Sequence, residues 1–519
     1  MLKQLLRCTA VIATGLLLIT QGLLTSQAMA AGILRYATIG EPPSLDTQMS
    51  TATIVGTIGE HMFETLYAFD SKYKPQPLLA AGEKLEDGGK KLVITLRQGV
   101  KFHNGAEMTS ADVVASLKRW GEFGARGSLL MKNAVSLTAT DKYEVTLVLS
   151  EPNGAWKNLL AYPEGGPVIY PAAIVSAAGN KPLGPQDYIG TGPYKFGEWR
   201  PNRYVELIRF DGYSSRSEPG DGYAGARKVN FDAIRFIPVP DVGTRVSGVQ
   251  AGDYDYAEFI SGDLYDTLKS DSALRIHRNG APLFGLFFIN SKSGILKENF
   301  ALRRAIQTAF KEEEALRVSF GPKTLWEANG ALYPTGNPWY TEAGVQQSYN
   351  IGNAAKARQM AKDAGYDGAP IRLLVSTNYQ AHFDQATVFT KQLADAGINV
   401  QMMVVDWATL LKTRGQAEQW DIFVTHHGFV PDPILMTFMN ESYPGWWNTP
   451  EKAKLTAAFT ATADTATREK VWAELQALFY EQVPAIKVGN AYSYDIASKK
   501  LKGMGDSTVL WPHFWNVSY

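Results

Sequence analysis

IRLLVSTNYQAHFDQATVFTKQLADAGINVQMMVVD, residues 371–406, reads as a strand, a helix and a second strand. IRLLVST (371–377) is an apolar run of strand length, and ATVFTKQLADAG (386–397) has helical character and closes on Gly397. INVQMMVVD (398–406) supplies the second strand. Residues 420–425 add a further strand, and residues 299–318 a helix with Leu302, Ile306 and Phe310 in phase. Helix alternating with strand at this spacing predicts a layered α/β lobe on a mostly parallel sheet.

Upstream the pattern changes. KLVITLR (91–97) and KYEVTLVLS (142–150) alternate apolar and polar residues, as strands with one buried face do. Between them Thr109 and Asp112 mark a helix start, with Val113, Leu117 and Trp120 as its apolar stripe. Residues 54–67 read as a helix, KFGEW and YVELIRF as strands after the turn-rich YIGTGPYKF (188–196), and PAIKVGN (484–490) as a strand. The tail LWPHFWNVSY can rejoin the first lobe, with chain crossings expected near residues 290 and 484.

The first thirty residues stand apart. Lys3 and Arg7 precede an apolar core from Val11 to Leu24, and Ala28-Met29-Ala30 offers a small-x-small cleavage site, so export with cleavage after Ala30 is expected. Cys8, the only cysteine, lies inside that segment, so the mature chain has no disulfide and must be held by its core. Lys plus Arg and Asp plus Glu are both 51, and loss of Lys3 and Arg7 moves the net charge from zero to −2. No basic tract points to nucleic acid, and no later apolar run is long enough to span a membrane.

Motifs for chemistry are mostly missing. Gly220, Gly222 and Gly225 spell a dinucleotide fingerprint, but SSRSEP before them is no strand. There is no phosphate-binding loop, no G-x-S-x-G and no H-E-x-x-H. The stretch WDIFVTHHGFVPDPILMTFMNESYPGWW (420–447) is the candidate site. His426 and His427 point to opposite faces if the strand continues through them, and no third ligand at metal-like spacing accompanies them. Asp432, between Pro431 and Pro433, can bind an amine or cap a helix starting at Ile434. Phe429, Tyr443, Trp446 and Trp447 can wall a pocket or bridge two lobes.

PPSLD, YKPQPLLA, LRQGVKFHNGAEMTSADVVASLKR (96–119), YIGTGPYKF, FALRRAIQTAF (300–310) and the 420s loop, in that order, resemble the extracellular solute-binding proteins of the peptide, opine and nickel class. The resemblance spans essentially the whole mature chain. It implies an α/β, two-lobed periplasmic-binding-protein clamshell with an additional small domain inserted in the first lobe. The division would be 1–30 signal peptide, 31–70 first lobe, 71–187 inserted domain, 188–290 first lobe, 291–483 second lobe and 484–519 return to the first lobe. It implies a periplasmic receptor, monomeric and without cofactor or reaction, that traps a small organic solute and passes it to an inner-membrane ABC permease. It places Thr38, Pro43 and Leu45 at the cleft floor and the 422–432 segment in the ligand site. VVDWATLLKTR looks like its pocket-bordering segment, so Trp407 would stack on ligand or pack at the interface, and Arg414 would meet a ligand carboxylate. Peptide-binding members place an acid early in the 420s loop, where this chain has His426, His427, Gly428 and Phe429. That departure weakens a classical free-amino peptide and leaves room for an opine-like, sugar-containing or aromatic solute, so the expected solute is peptide-like or opine-like. A receptor for a nickel chelate or other metallophore, gripped by a cleft histidine, is the alternative, and an exported hydrolase a third.

Overall fold

The computed structural model describes residues 32–278, 282–504 and 511–519. The expected signal segment therefore lies outside the described residues. Two large sheets form two lobes. The seven-stranded sheet runs, in spatial order, Leu274–Arg278, Tyr494–Ser498, Tyr256–Ala257, Ile33–Thr38, Ala233–Pro238, Tyr204–Arg209 and Tyr194–Arg200. The six-stranded sheet runs Trp326–Glu327, Ala485–Ala491, Leu283–Ile289, Ile422–His427, Ile371–Ser376 and Val400–Val405. A third, four-stranded antiparallel sheet holds Ala80–Glu86, Lys91–Leu96, Glu144–Leu149 and Ala134–Asp141.

The strand–helix–strand unit forms as its sequence predicts: Ile371–Ser376 and Val400–Val405 pair in parallel, joined by the helix Gln380–Asp395. Gly397 takes φ +75° after that helix, a conformation that costs glycine nothing. The six-stranded sheet is nevertheless mixed. Ile371–Ser376 is parallel to both neighbours, whereas Leu283–Ile289 runs antiparallel to Ile422–His427 and to Ala485–Ala491. A parallel pair needs a crossover, and only the segment from 371 to 427 contains such crossovers. The helix expected over 299–318 is two helices, Phe300–Ala309 and Glu312–Phe320, broken where Phe310 turns extended to bury its ring.

The chain passes between the large sheets twice, between Arg278 and Leu283 and between Ala491 and Tyr494. Both passages lie seven or more residues away from the positions expected near 290 and 484. Both flanking strands are apolar enough to be buried in either lobe, and their pairing with Ile422–His427 and with each other decides the matter. In the four-stranded sheet, Leu92, Ile94, Val145 and Leu147 point inward onto the helix Ser110–Phe123. Thr109 N–H donates to Asp112 at 2.8 Å, closing that helix start. Arg119 on the same helix reaches Asp46 at 2.6 Å, with both side chains buried, and ties it to the first lobe.

Candidate functional site

The lobes meet along a seam crossed by direct bonds. Arg414 Nη2 donates to Thr51 Oγ1 at 3.0 Å, Arg126 Nε to the Leu435 carbonyl at 2.6 Å, and Asn158 Nδ2 to Asp432 at 2.9 Å. Three spaces lie along this seam. The middle one, about 30 Å³, is bounded by Thr51, Tyr162 and Glu164 on one side and by Trp407, Arg414 and His426 on the other. Arg414 also borders a more open recess of about 560 Å³ that includes Pro43, Lys412 and Tyr443. His426 also borders a space of about 390 Å³ whose walls include Phe259, Tyr379, His382 and Gln385. Arg414 and His426 thus act as partitions in one row of spaces.

The two histidines separate as strand alternation requires. His427 borders the small middle space but has both ring nitrogens engaged: its Nδ1 donates to the Gly428 carbonyl at 2.7 Å, its Nε2 accepts from Thr437 N–H at 3.0 Å, and its ring stacks on Phe284. Those partners fix a neutral tautomer, and burial lowers its pKa to about 3. His426 instead turns to the seam, with its Nδ1 3.0 Å from His382 Nε2 and its ring beside Tyr379. Burial brings His426 to about 4 and His382 well below the usual imidazole value, so this pair is neutral at pH 7. Among the described residues no three His, Cys, Asp or Glu side chains are grouped to hold a metal ion.

Other candidates divide the same way. Trp407 is buried against Tyr379, and its Nε1 has no hydrogen-bond partner within the protein. Arg414 receives only neutral partners, Tyr443 Oη at 3.1 Å and Thr51 Oγ1, and forms no ion pair among the described residues. Pro43 is exposed at the rim of the open recess. Asp432 is consumed: it caps Ile434 N–H at 3.1 Å and holds Arg468 through both carboxylate oxygens at 2.9 Å, at 1% exposure. The capping alternative therefore holds for Asp432, and no oxygen is left for an amine. Phe429 lies between Tyr73 and Tyr333 and borders none of the three spaces. Thr38 bonds to the Gly40 carbonyl at 2.9 Å, and Leu45 is sealed in the first-lobe core. Both are buried and neither borders any of the three spaces, so the cleft-floor expectation does not match their positions. Trp446 stacks on Trp420 and Trp447 packs on Phe479, so these two aromatics build the second lobe.

Sequence reasoning missed His382, Gln385 and Glu164. The first two were legible: His382, Gln385, Ala386, Phe389 and Leu393 are the buried face of the helix Gln380–Asp395, and that spacing extends the helix back beyond residue 386. Glu164 had no local signal, since its role comes from Arg126 and Arg414 approaching from distant segments. Burial raises its carboxyl to about 7 against the pull of both guanidiniums. Between pH 4.5 and about 7 the folded chain keeps a proton that the unfolded chain has lost, so stability falls as pH rises through that window. The loss for this group is about 3 kcal/mol, absent below the window and complete above it. Glu164→Gln should abolish that part of the slope, visible as a urea midpoint at pH 8 higher than wild type and little changed at pH 4.5. Asp495, raised to about 7 by burial, adds a parallel slope that both proteins share.

The family model for bacterial extracellular solute-binding proteins, family 5 Middle, matches residues 74–448. A probable peptide ABC transporter periplasmic-binding protein, y4tO of Sinorhizobium fredii, is 27% identical over 98% of this chain and 97% of its own length. Among solved structures, Helicobacter pylori DppA in complex with the peptide STSA aligns with a TM-score of 0.81 at 18% identity, covering 95% of this chain and 99% of that one. AgaA from A. tumefacien R10, in complex with agropinic acid, aligns with a TM-score of 0.79 at 24% identity, covering 94% and 98%. These two likenesses establish the two-lobed α/β periplasmic-binding-protein fold.

Proposed function

Because this chain belongs to the bacterial extracellular solute-binding proteins, family 5, we propose that it closes its two lobes around a peptide-like or opine-like organic solute and delivers it to the inner-membrane permease of an ABC importer. It is a periplasmic receptor, and the family binds rather than catalyses. One observation carries the reading of the site: a row of spaces between the lobes, with Arg414 and His426 as partitions and the unpartnered Trp407 Nε1 beside them. Arg414 is the anchor for a solute carboxylate, since its bonds are to neutral hydroxyls. Trp407 supplies a donor and an apolar face, and His426 a neutral hydrogen-bonding edge. A solute touching both lobes favours the closed form by its differential affinity, and a shift from mostly open to mostly closed asks about 5.5 kcal/mol.

Residues 71–187 are read as the additional small domain of the first lobe, a view supported by the self-contained four-stranded sheet. The rest of the first lobe comes from 31–70, the segment after 188 and the C-terminal return, with the protein acting as a monomer. A receptor for a nickel chelate is the second reading. His426 supports it, since only its Nδ1 is engaged within the protein and the ring borders two of the spaces.

Native mass spectrometry of the mature protein purified from its own periplasm tests both. One organic solute per chain, released on denaturation, is the expected result. A nickel-bearing adduct would move the assignment to the chelate, and turnover of the released molecule by the protein would remove the receptor reading altogether.

A further inference from the structure

The 390 Å³ space beyond His426 has a chemistry of its own. Its apolar walls come from Phe259, Phe320, Tyr379 and Tyr492. Three polar side chains on the same lining carry a buried atom with no hydrogen-bond partner in the protein: His382 Nδ1, Gln385 Oε1 and Ser319 Oγ. His382 and Gln385 are 3% and 1% exposed, so solvent does not compensate them. Gly285 is what admits the carboxamide, since a Cβ there would lie 2.4 Å from Gln385 Oε1. Three unmet hydrogen-bonding atoms on one wall call for a partner from outside the chain.

Among the described residues, the buried charged groups Arg245, Glu258 and Asp495 on or behind this lining are matched within the protein. The Arg245 guanidinium donates to the carbonyls of Val239, Pro240, Glu258 and Phe259. Asp241, exposed at the rim, accepts from Thr244 N–H and Oγ1 on its Oδ1 alone and stays a solvent-facing charge at the mouth. Glu258 accepts from Tyr36 Oη and Ile39 N–H, and Asp495 from Tyr256 Oη and Phe259 N–H. An ion carried past the rim would be desolvated against aromatic rings, where the buried charges among the described residues are already bonded within the protein. The His382–His426 pair shares one hydrogen bond, so whichever ring donates, His382 Nδ1 and His426 Nε2 take opposite roles, one donor and one acceptor.

We propose that this compartment receives the uncharged, hydrogen-bonding end of the solute, a carboxamide or hydroxyl-bearing group read by Gln385, His382 and Ser319, while the anionic end lies toward Arg414. The assignment rests on the receptor reading above and adds a selectivity that reading does not contain. Solutes with an ammonium or a second carboxylate at this end are rejected.

A library of N-acetylated dipeptides in equal amounts, covering all side-chain pairs, tests this on the full mature chain stripped of its solute by unfolding and refolding. Species retained after buffer exchange are read by native mass spectrometry. Members with Gln, Asn, Ser or Thr at one position should be enriched at least about tenfold over those with Glu, Asp, Lys or Arg there. Gln385→Leu should erase the enrichment, Gln385→Glu should redirect it to Lys and Arg, and Ser319→Ala, a milder change, should reduce it. Equal retention of charged members by wild type, or enrichment that survives Gln385→Leu, overturns the proposal. Retention of no member by wild type, with Arg414→Ala behaving identically, instead sinks the peptide-like receptor reading and the proposal with it.

Discussion

Asp432→Ala lowers the unfolding free energy by about 3–5 kcal/mol and, through the cross-lobe bond from Asn158 alone, weakens solute affinity by no more than about tenfold. The carboxylate is buried and holds Arg468 with two bonds of 2.9 Å. It also accepts from Asn158 on the helix Trp156–Ala161 and from the backbone at Ile434. Arg468 in turn lies 4.1 Å over the Phe459 ring and 5.1 Å from Trp339, a setting with no second carboxylate in ion-pair range among the described residues. Alanine would leave that guanidinium charged, desolvated and without its counter-ion, which costs more than the pair contributes. Removing both charges together, as Asp432→Leu with Arg468→Met, should recover most of the loss, because well-packed apolar residues replace a buried pair at little cost. Urea midpoints of the three variants give the comparison. A large fall in affinity at unchanged stability would return Asp432 to the binding site.

Arg414→Ala weakens the solute recovered from the periplasm by about 2–3 kcal/mol, roughly 30- to 150-fold. Two effects add. The solute carboxylate loses its cation, and the closed form loses the bond from Arg414 Nη2 to Thr51 Oγ1 across the seam. Arg414→Lys should regain only part, since an ammonium keeps the charge but not the planar fork. Titration calorimetry separates the contributions: Thr51→Val removes the cross-lobe bond alone and should cost under about 1.5 kcal/mol. Affinity within threefold of wild type for Arg414→Ala would place the carboxylate anchor elsewhere.

Much of this protein is determined by local sequence. Strand and helix character in 371–406, the start at Thr109, and the alternations in 91–97 and 142–150 follow from side-chain periodicity that acts within a few residues. The opposed fates of His426 and His427 follow from the same period of two. Tertiary structure alone decided which lobe owns the strands Leu283–Ile289 and Ala485–Ala491, because an apolar strand carries no label for its partner and pairing is settled by segments more than a hundred residues away. It decided the site in the same way. Asp432 was lost to Arg468, 36 residues on, and His426 gained His382, 44 residues back. Arg414, Glu164 and Thr51 share a space only because three distant segments of the chain converge at the seam. Polar groups in a buried seam are defined by the partners that satisfy them, and in a chain folded from discontinuous segments those partners are remote in sequence.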